Sequence, residues 1–476
     1  MRMATWVTVG MVMGLSLGLL EEGVSSAAAA APMTVTQDQQ QDVAVTVYNG
    51  NLGLVKDTRE LGLGPGTHEV RFMDVAAQID PTTVHLKSLR DPAGLHVLEQ
   101  NYEYDLLSPQ KLLDKFVGKQ VKLMTGDGSQ VDARLLSNNN GPIYQINGQI
   151  HLGHPGRVIL PDVPENLISK PTLVWLLQNA TAQPQRVEVS YLTGGITWKA
   201  DYVVVLNAKD SGGDLSGWVT IDNKSGATYS NAALKLVAGD VNRARPRPEM
   251  KAMLESAGRV ASAAPPQFQE ESFFEYHLYS LERRTSIKQN QTKQVSLLDA
   301  ADIPIRKELR FYGGSQFFRS AWAQPIPRQK VSVYLEVANT EQNHLGMPLP
   351  QGTVRVYKAA ADKSLQFIGE DTIDHTPKDE KVRIKMGEAF DVVAERTQRD
   401  WKKIASNVYE TEWDIQIRNH KKEDVQVTVI EPVPGDWEVI RENLPHEKTD
   451  AHTLQFKLDI PKDGKTTLTY RVRMRW

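Results

Sequence analysis

The chain has 476 residues, of which 40% are hydrophobic and 24% charged, and its formal net charge at pH 7 is -3. These values favour a folded globular protein of several domains over a disordered chain or one with many membrane spans. Because the sequence has no cysteine, it excludes disulfides, thiolate nucleophiles, iron–sulfur clusters and zinc–thiolate sites. The small net charge gives no reason to expect nucleic acid as a partner.

The first residues have the pattern of a secretory signal peptide. Arg2 precedes an uncharged, largely apolar run over 4–20, and the alanines Ala27 to Ala31 follow. We therefore expect residues 1–31 to be a cleaved signal and the mature protein to be periplasmic or secreted. An uncleaved anchor is the alternative, because the apolar run approaches the length of a bilayer span. Residues 32–42 are expected to form a short flexible leader.

An N-terminal β domain is predicted over 42–104. Its first strand is indicated by the alternating residues Val43 to Tyr48, and Asn49-Gly50 predicts the turn into the next strand. Glycines and prolines separate four further strands, over 52–61, 68–72, 83–89 and 95–98. Short strands without intervening helices predict a sandwich.

A separate module is predicted over 105–168. Ser108 is a favourable helix N-cap, Pro109 fits the first helical position, and Gly118 fits the C-terminus, so a helix of about two turns is expected. Five short strands should follow, over 120–125, 130–137, 142–146, 149–152 and 157–160. One helix and five tight strands indicate a small Sm-like or SH3-like barrel inserted into the larger β scaffold.

The rest of the chain is divided into a central β domain, 169–329, and a C-terminal domain, 330–476. Within the central domain, the proline- and alanine-rich segment 243–269 is expected to be a disordered loop. The C-terminal domain has several alternating runs, such as Leu468 to Trp476, and an immunoglobulin-like sandwich is expected there. The predicted fold class is therefore all-β, with multiple sandwich domains and one inserted barrel.

Several co-linear sequence blocks follow Asp42, among them Tyr191 to Tyr202 (YLTGGITWKADY), Trp218-Val219-Thr220 and Val237-Ala238-Gly239-Asp240-Val241. These blocks resemble those of an uncharacterised family of exported bacterial proteins related to mucoidy inhibitor A proteins. The resemblance implies a domain of unknown function in an exported protein, with no reaction or ligand to transfer.

One local group of residues suggests ligand binding. Trp198, Asp201 and Tyr202 place two aromatic residues beside a carboxylate, and such groups can stack on and hydrogen-bond a sugar. The alternative interpretation is structural, because tryptophan and tyrosine in a sandwich commonly belong to the core.

Other candidate sites have weaker signals. His151 and His154 have a spacing that can bind a metal, but no third ligand lies near them in the sequence. Gly313-Gly314-Ser315-Gln316 lacks the second glycine of a nucleophile elbow. A basic run on the proline-rich segment could contact an anionic glycan or lipid, although solvated charge is the simpler explanation: Arg243, Arg245 and Arg247.

These observations predict an exported binding or scaffolding protein of the cell envelope. The expected partner is an envelope protein or a glycan, without a cofactor, a metal or nucleic acid. The alternative is a carbohydrate-active hydrolase with paired carboxylates, for which Asp222, Asp240, Glu275 and Asp391 are among the candidates. Convergent acidic groups in a deep cleft would favour the enzyme, and an exposed strand edge or apolar surface would favour binding.

Overall fold

The computed structural model describes residues 32–104, 108–154, 156–162, 170–239, 268–360 and 362–475. Strands make up 64% of these residues and helices 5%, so the prediction of an all-β fold with several sheets is confirmed. No helix in the described ranges is long and apolar enough to cross a membrane. The predicted signal peptide lies outside the described residues.

The strands and the α-helix of the described residues follow one another along the chain. The part up to residue 162 contains β1 Met33–Val35, β2 Gln40–Tyr48, β3 Leu52–Leu61, β4 Gly66–Met73, β5 His85–Ser88, β6 Leu95–Glu103, α1 Pro109–Phe116, β7 Gln120–Met124, β8 Gln130–Ser137, β9 Ile143–Ile146, β10 Gln149–Leu152 and β11 Arg157–Ile159. The part from 170 to 312 contains β12 Thr172–Asn179, β13 Gln185–Thr193, β14 Ile196–Leu206, β15 Gly212–Asn223, β16 Tyr229–Ala238, β17 Phe268–Phe273, β18 Tyr276–Leu281, β19 Thr285–Ile287, β20 Gln291–Pro304 and β21 Arg306–Tyr312. The remainder contains β22 Ile326–Ala338, β23 Gly352–Ala359, β24 Leu365–Ile373, β25 Lys381–Ala405, β26 Val408–Asn419, β27 Val425–Pro432, β28 Asp436–Glu442, β29 His446–Lys448, β30 Thr453–Ile460 and β31 Lys465–Arg475.

The strands form five sheets. The first has the order β1-β4-β12-β6, and the second, which belongs to the predicted module, has the order β10-β9-β8-β7-β11. The third is β17-β18-β16-β2-β3-β13-β5, with β19 also paired to β16, and the fourth is β20-β15-β14-β23-β24. The fifth has nine strands, in the order β28-β31-β26-β25-β22-β21-β27-β30-β29.

Three hydrophobic cores underlie these sheets. The largest contains buried residues from Val35 to Ile384 and joins the first, third and fourth sheets. A second core lies within the nine-stranded sheet, and a third belongs to the module. The long strand β22 serves two cores, because Val331 packs in the second whereas Leu335 and Val337 pack in the largest. The predicted boundary at 329/330 therefore lies inside one strand. That the predicted domains fold as independent units stays a prediction.

The module has the elements that the sequence indicates. Helix α1 covers Pro109–Phe116, and the Ser108 side chain accepts a hydrogen bond from the backbone N–H of Lys111, as expected of an N-cap. Phe116 and side chains of the following strands form the module's own core. Helix and strands are thus confirmed.

The nine-stranded sheet curls until its two end strands meet. Trp437 on β28 and His446 on β29 are in edge-to-face contact, with ring centroids 6.3 Å apart. The C-terminal strands, for which we expect an immunoglobulin-like sandwich, are thus hydrogen-bonded into one continuous sheet around their own core.

Two expectations about irregular segments are wrong. The predicted leader 32–42 is ordered, because β1 pairs in parallel with β4 and Val35 is fully buried. The predicted disordered segment 243–269 extends too far, since Phe268 is buried at the start of β17 and pairs with Leu281. The remainder of that segment, with its three arginines, lies outside the described residues.

Gly195 makes the tight turn between β13 and β14. Its φ is +72°, a left-handed conformation that favours glycine. A Cβ at this position would lie 2.6 Å from the carbonyl oxygen of Lys224, so the neighbouring backbone also requires a glycine. The turn fixes the start of β14, the strand that carries the three predicted site residues.

Candidate functional site

The two aromatic residues of the predicted site lie in the largest core. Trp198 and Tyr202 are 2% and 1% exposed. The indole N–H of Trp198 donates to the carbonyl of Val237, and the Tyr202 hydroxyl donates to the carbonyl of Pro350, at 3.2 and 2.8 Å. Both side chains are therefore packed and hydrogen-bonded within the fold, as in the structural interpretation, and neither is available to a ligand.

Asp201 lies on the opposite face of β14, because side chains alternate along a strand, and it too is largely buried, at 7% exposure. Its carboxylate accepts hydrogen bonds from the Thr220 hydroxyl at 2.8 Å and from Arg355 Nη1 at 3.1 Å, and Lys199 Nζ is 3.5 Å away. Burial alone would raise the pKa of Asp201, but these hydrogen bonds and positive charges lower it below its ordinary value. The carboxylate is therefore a fixed, ionised acceptor.

A different tryptophan stands beside Asp201. Trp218 on β15 is directly opposite Asp201 in the antiparallel ladder, and its side chain is 38% exposed. The pairing of β15 with β20 is irregular between Gly217 and Trp218, which is the signature of a β-bulge. Bulges commonly re-aim side chains next to functional sites.

Two further aromatic rings lie on the same face of this sheet. Tyr357 on β23 and Phe367 on the edge strand β24 are in edge-to-face contact, 5.6 Å between centroids, and Phe367 is 54% exposed. Between them and Asp201 lies Arg355, whose Nε is 3.1 Å from Glu370. We call this surface the Trp218 face; it consists of Lys199, Asp201, Trp218, Thr220, Gln294, Arg355, Tyr357, Phe367 and Glu370.

The Trp218 face combines partly exposed aromatic rings with fixed polar groups. Gln294 donates to the Thr220 hydroxyl at 3.1 Å, so Gln294, Thr220 and Asp201 form a hydrogen-bonded row across three neighbouring strands. Such a surface can hold a ligand that has both apolar ring faces and hydroxyl groups, by stacking on the rings and hydrogen bonding to the row.

Of the predicted group, only Asp201 therefore lies on the Trp218 face, and its role in ligand binding stays a prediction. Trp218 belongs to the block Trp218-Val219-Thr220, and its neighbours Gly217 and Val219 are buried. This alternation could have indicated an outward-facing tryptophan. Its position opposite Asp201 depends on the pairing of two strands, which no local pattern gives.

The remaining candidates are not brought together. His151 lies on β10, and the Nδ1 of His154 accepts a hydrogen bond from the backbone of Gly156. Within the described ranges, no three acidic or histidine side chains converge as metal ligands would. Ser315 opens a short 3₁₀ helix, Ser315–Phe318. Asp240 lies outside the described residues.

Carboxylates also gather on the nine-stranded sheet, where Arg471 contacts Asp400, Glu410 and Glu412 at 2.7, 3.3 and 2.6 Å. Hydrogen bonds from Lys402 and Arg471 lower the pKa of Asp400. Such ionised, paired carboxylates are poorly suited to donate a proton. Arg471 on β31 is only 17% exposed and is held in these ion pairs.

The comparisons identify the family but no characterised relative. No curated protein matches the chain. A family model described as "Domain of unknown function (DUF4139)" matches residues 187–476 of the 476-residue chain. The matched region includes every residue of the Trp218 face. Since the match covers more than half of the chain, the protein belongs to the DUF4139 family.

Proposed function

We propose that this protein is an exported, non-catalytic binding protein of the bacterial cell envelope, and that it binds a glycan on the Trp218 face. The observation that carries the proposal is the pairing of the partly exposed Trp218 with the ionised Asp201 across β14 and β15. Pyranose rings have an apolar face that stacks on an indole, and their hydroxyls donate to carboxylates.

The envelope location is proposed from the sequence. The charge and hydropathy pattern of residues 1–31 is typical of a signal peptide, and the absence of cysteine excludes anchoring through an acylated N-terminal cysteine. The finer relation to mucoidy inhibitor A proteins is also a proposal. Two blocks that carry the resemblance, Tyr191–Tyr202 and Trp218–Thr220, supply Lys199, Asp201 and Trp218 to this face.

The binding proposal is tested with the full exported chain and immobilised bacterial envelope polysaccharides, including peptidoglycan. Trp218→Ala should weaken glycan binding by roughly threefold to tenfold, the range of an aromatic stacking contact. Phe390→Ala is the matched control, because Phe390 is 93% exposed on another sheet. Equal binding by the wild type and Trp218→Ala, or equal losses in both variants, would contradict the proposal.

One observation favours the hydrolase as a second candidate. Asp201 and Glu370 both contact the guanidinium of Arg355. The Trp218 face therefore contains two carboxylates that lie close to each other. Against hydrolysis, a general acid needs a raised pKa, whereas the pKa of Asp201 is lowered. The assay is release of reducing ends from a bound polysaccharide. If the wild type releases them and each of the single variants Asp201→Asn and Glu370→Gln does not, the protein is a hydrolase and the non-catalytic proposal is refuted.

A further inference from the structure

A polar cleft of about 370 Å³ lies on the third sheet, away from the Trp218 face. Its walls come from the 3₁₀ helix Gln37–Gln39 and the start of β2, from the start of β16 and from the turn before β19. The lining is almost entirely polar: Gln37, Asp38, Gln40, Gln41, Asp42, Val43, Ser230, Asn231 and Arg284. A cleft of this size can take a small molecule.

Two β-bulges shape the cleft. The ladder of β2 with β3 shifts between Gln40 and Asp42, and that of β16 with β19 shifts between Tyr229 and Ala232. Because β2 and β16 run parallel, with Ala44 opposite Ala233, both bulges lie at the same end of the two strands. Each bulge turns polar residues of its strand toward the cleft.

Arg284 clamps the two walls together. Its Nη1 donates to the carbonyl of Asn231 at 2.9 Å and lies 2.6 Å from the carboxylate of Asp42. Arg284 and Asp42 are therefore occupied with one another. Asn231 has a φ of +49°, and Arg284 contacts its backbone carbonyl and not its side-chain amide.

Four lining side chains remain available to a ligand. Within the described residues, no hydrogen bond or ion pair is made by the side chains of Asp38, Gln40, Ser230 and Asn231. The charged residues of the cleft are Asp38, Asp42 and Arg284, so its net charge is one negative charge. The unneutralised charge belongs to Asp38, which stands among neutral donors and acceptors.

We propose that this cleft is a second binding site, for a small molecule that combines one ammonium group with several hydroxyls, such as an amino sugar. Asp38 pairs with the ammonium group, because a free carboxylate is its strongest available partner. Gln40, Ser230 and Asn231 hydrogen-bond the hydroxyls. The site is independent of the glycan-binding proposal, since it shares no residue with the Trp218 face.

The test uses the full exported chain and ligand-observed NMR titration with glucosamine, at a pH below the pKa of its amine. N-Acetylglucosamine is the neutral comparison, because acetylation removes the charge and keeps the ring. Wild-type protein should bind glucosamine, and Asp38→Asn should weaken that binding by about tenfold, the contribution of a charged hydrogen bond. Asp132→Asn, an exposed aspartate on the module, is the matched control and should bind as the wild type does.

Trp218→Ala separates this proposal from the glycan proposal, because it should leave glucosamine binding unchanged. Asp38 is exposed, so its amide variant should fold normally, which a melting curve verifies. The inference is overturned if glucosamine does not bind, if the acetylated sugar binds equally well, or if Asp38→Asn retains full affinity.

Discussion

A fully buried ion pair in the nine-stranded sheet offers the sharpest test of how this fold is held together. Arg396 and Glu431 are both 0% exposed and contact each other directly. Aromatic rings surround the guanidinium, whose central carbon lies 4.6 Å from the ring centroid of Phe317 and 5.0 Å from that of Trp413. Within the described residues, Arg396 Nε, Arg396 Nη1 and Glu431 Oε2 accept or donate no well-aligned hydrogen bond.

Arg396→Met should lower the free energy of unfolding by about 3–5 kcal/mol, because it leaves the Glu431 carboxylate buried without a positive charge beside it. The double variant Arg396→Met/Glu431→Leu should recover most of that loss. It removes both charges and the polar atoms that the fold does not satisfy, and similar apolar replacements are often neutral or stabilising. This result would mean that the complete ion pair adds little net stability, although removing only one of its partners is strongly destabilising.

The loss of unfolding free energy in Arg396→Met should depend on pH. Burial raises the pKa of Glu431 above its ordinary value of 4.5, and the charge of Arg396 opposes that rise. When the pKa of a carboxyl is higher in the folded state than in the unfolded state, its contribution to stability is fully present below the unfolded-state pKa. That contribution is lost as the pH rises through the folded-state pKa. Without Arg396 the rise is larger, so the destabilisation of Arg396→Met should be small near pH 4.5 and grow toward neutral pH.

Urea unfolding followed by tryptophan fluorescence measures these differences, with the transition of the C-terminal core fitted separately because the chain has more than one core. The reasoning is refuted if the single variant is as stable as the double variant at neutral pH. It is also refuted if the destabilisation of Arg396→Met is the same at pH 4.5 and at neutral pH.

Three further outcomes are expected from thermal or urea unfolding. Gly313→Ala should cost about 1–3 kcal/mol, because its Cβ would lie 2.1 Å from a carboxylate oxygen of the buried ion pair; a normal melting curve would contradict this. Val472→Asp should cost several kcal/mol by burying an unpaired charge, while the 45%-exposed Arg473 should tolerate glutamine within about 0.5 kcal/mol; equal effects would be inconsistent with the observed burial. Trp198→Ala should cost about 3–5 kcal/mol, whereas Trp218→Ala should change stability little; the reverse order would mean that the assignment of faces on β14 and β15 is wrong.

Local patterns predicted most of the fold. The alternation of Val43, Val45 and Val47 places all three in the core, and Ser108 caps helix α1 as expected. The errors come from long-range pairing. The polar leader looks unstructured by composition, yet Val35 is buried because β1 pairs with β4. Likewise β23 joins the fourth sheet by pairing in parallel with β14, across more than a hundred residues of sequence.

The predicted group of Trp198, Asp201 and Tyr202 is divided between the two faces of one strand, for a reason that the sequence itself contained. Trp198 and Tyr202 stand three residues before and one residue after Asp201, and odd separations along a strand place side chains on opposite faces. The rule applies only once the strand is known to include all three residues, as β14 does from Ile196 onward. With the full strand assigned, any aromatic neighbour of Asp201 on its own face must come from another strand. Trp218 and Arg355 then follow from the pairing of β15 and β23 with β14, which only the folded structure supplies.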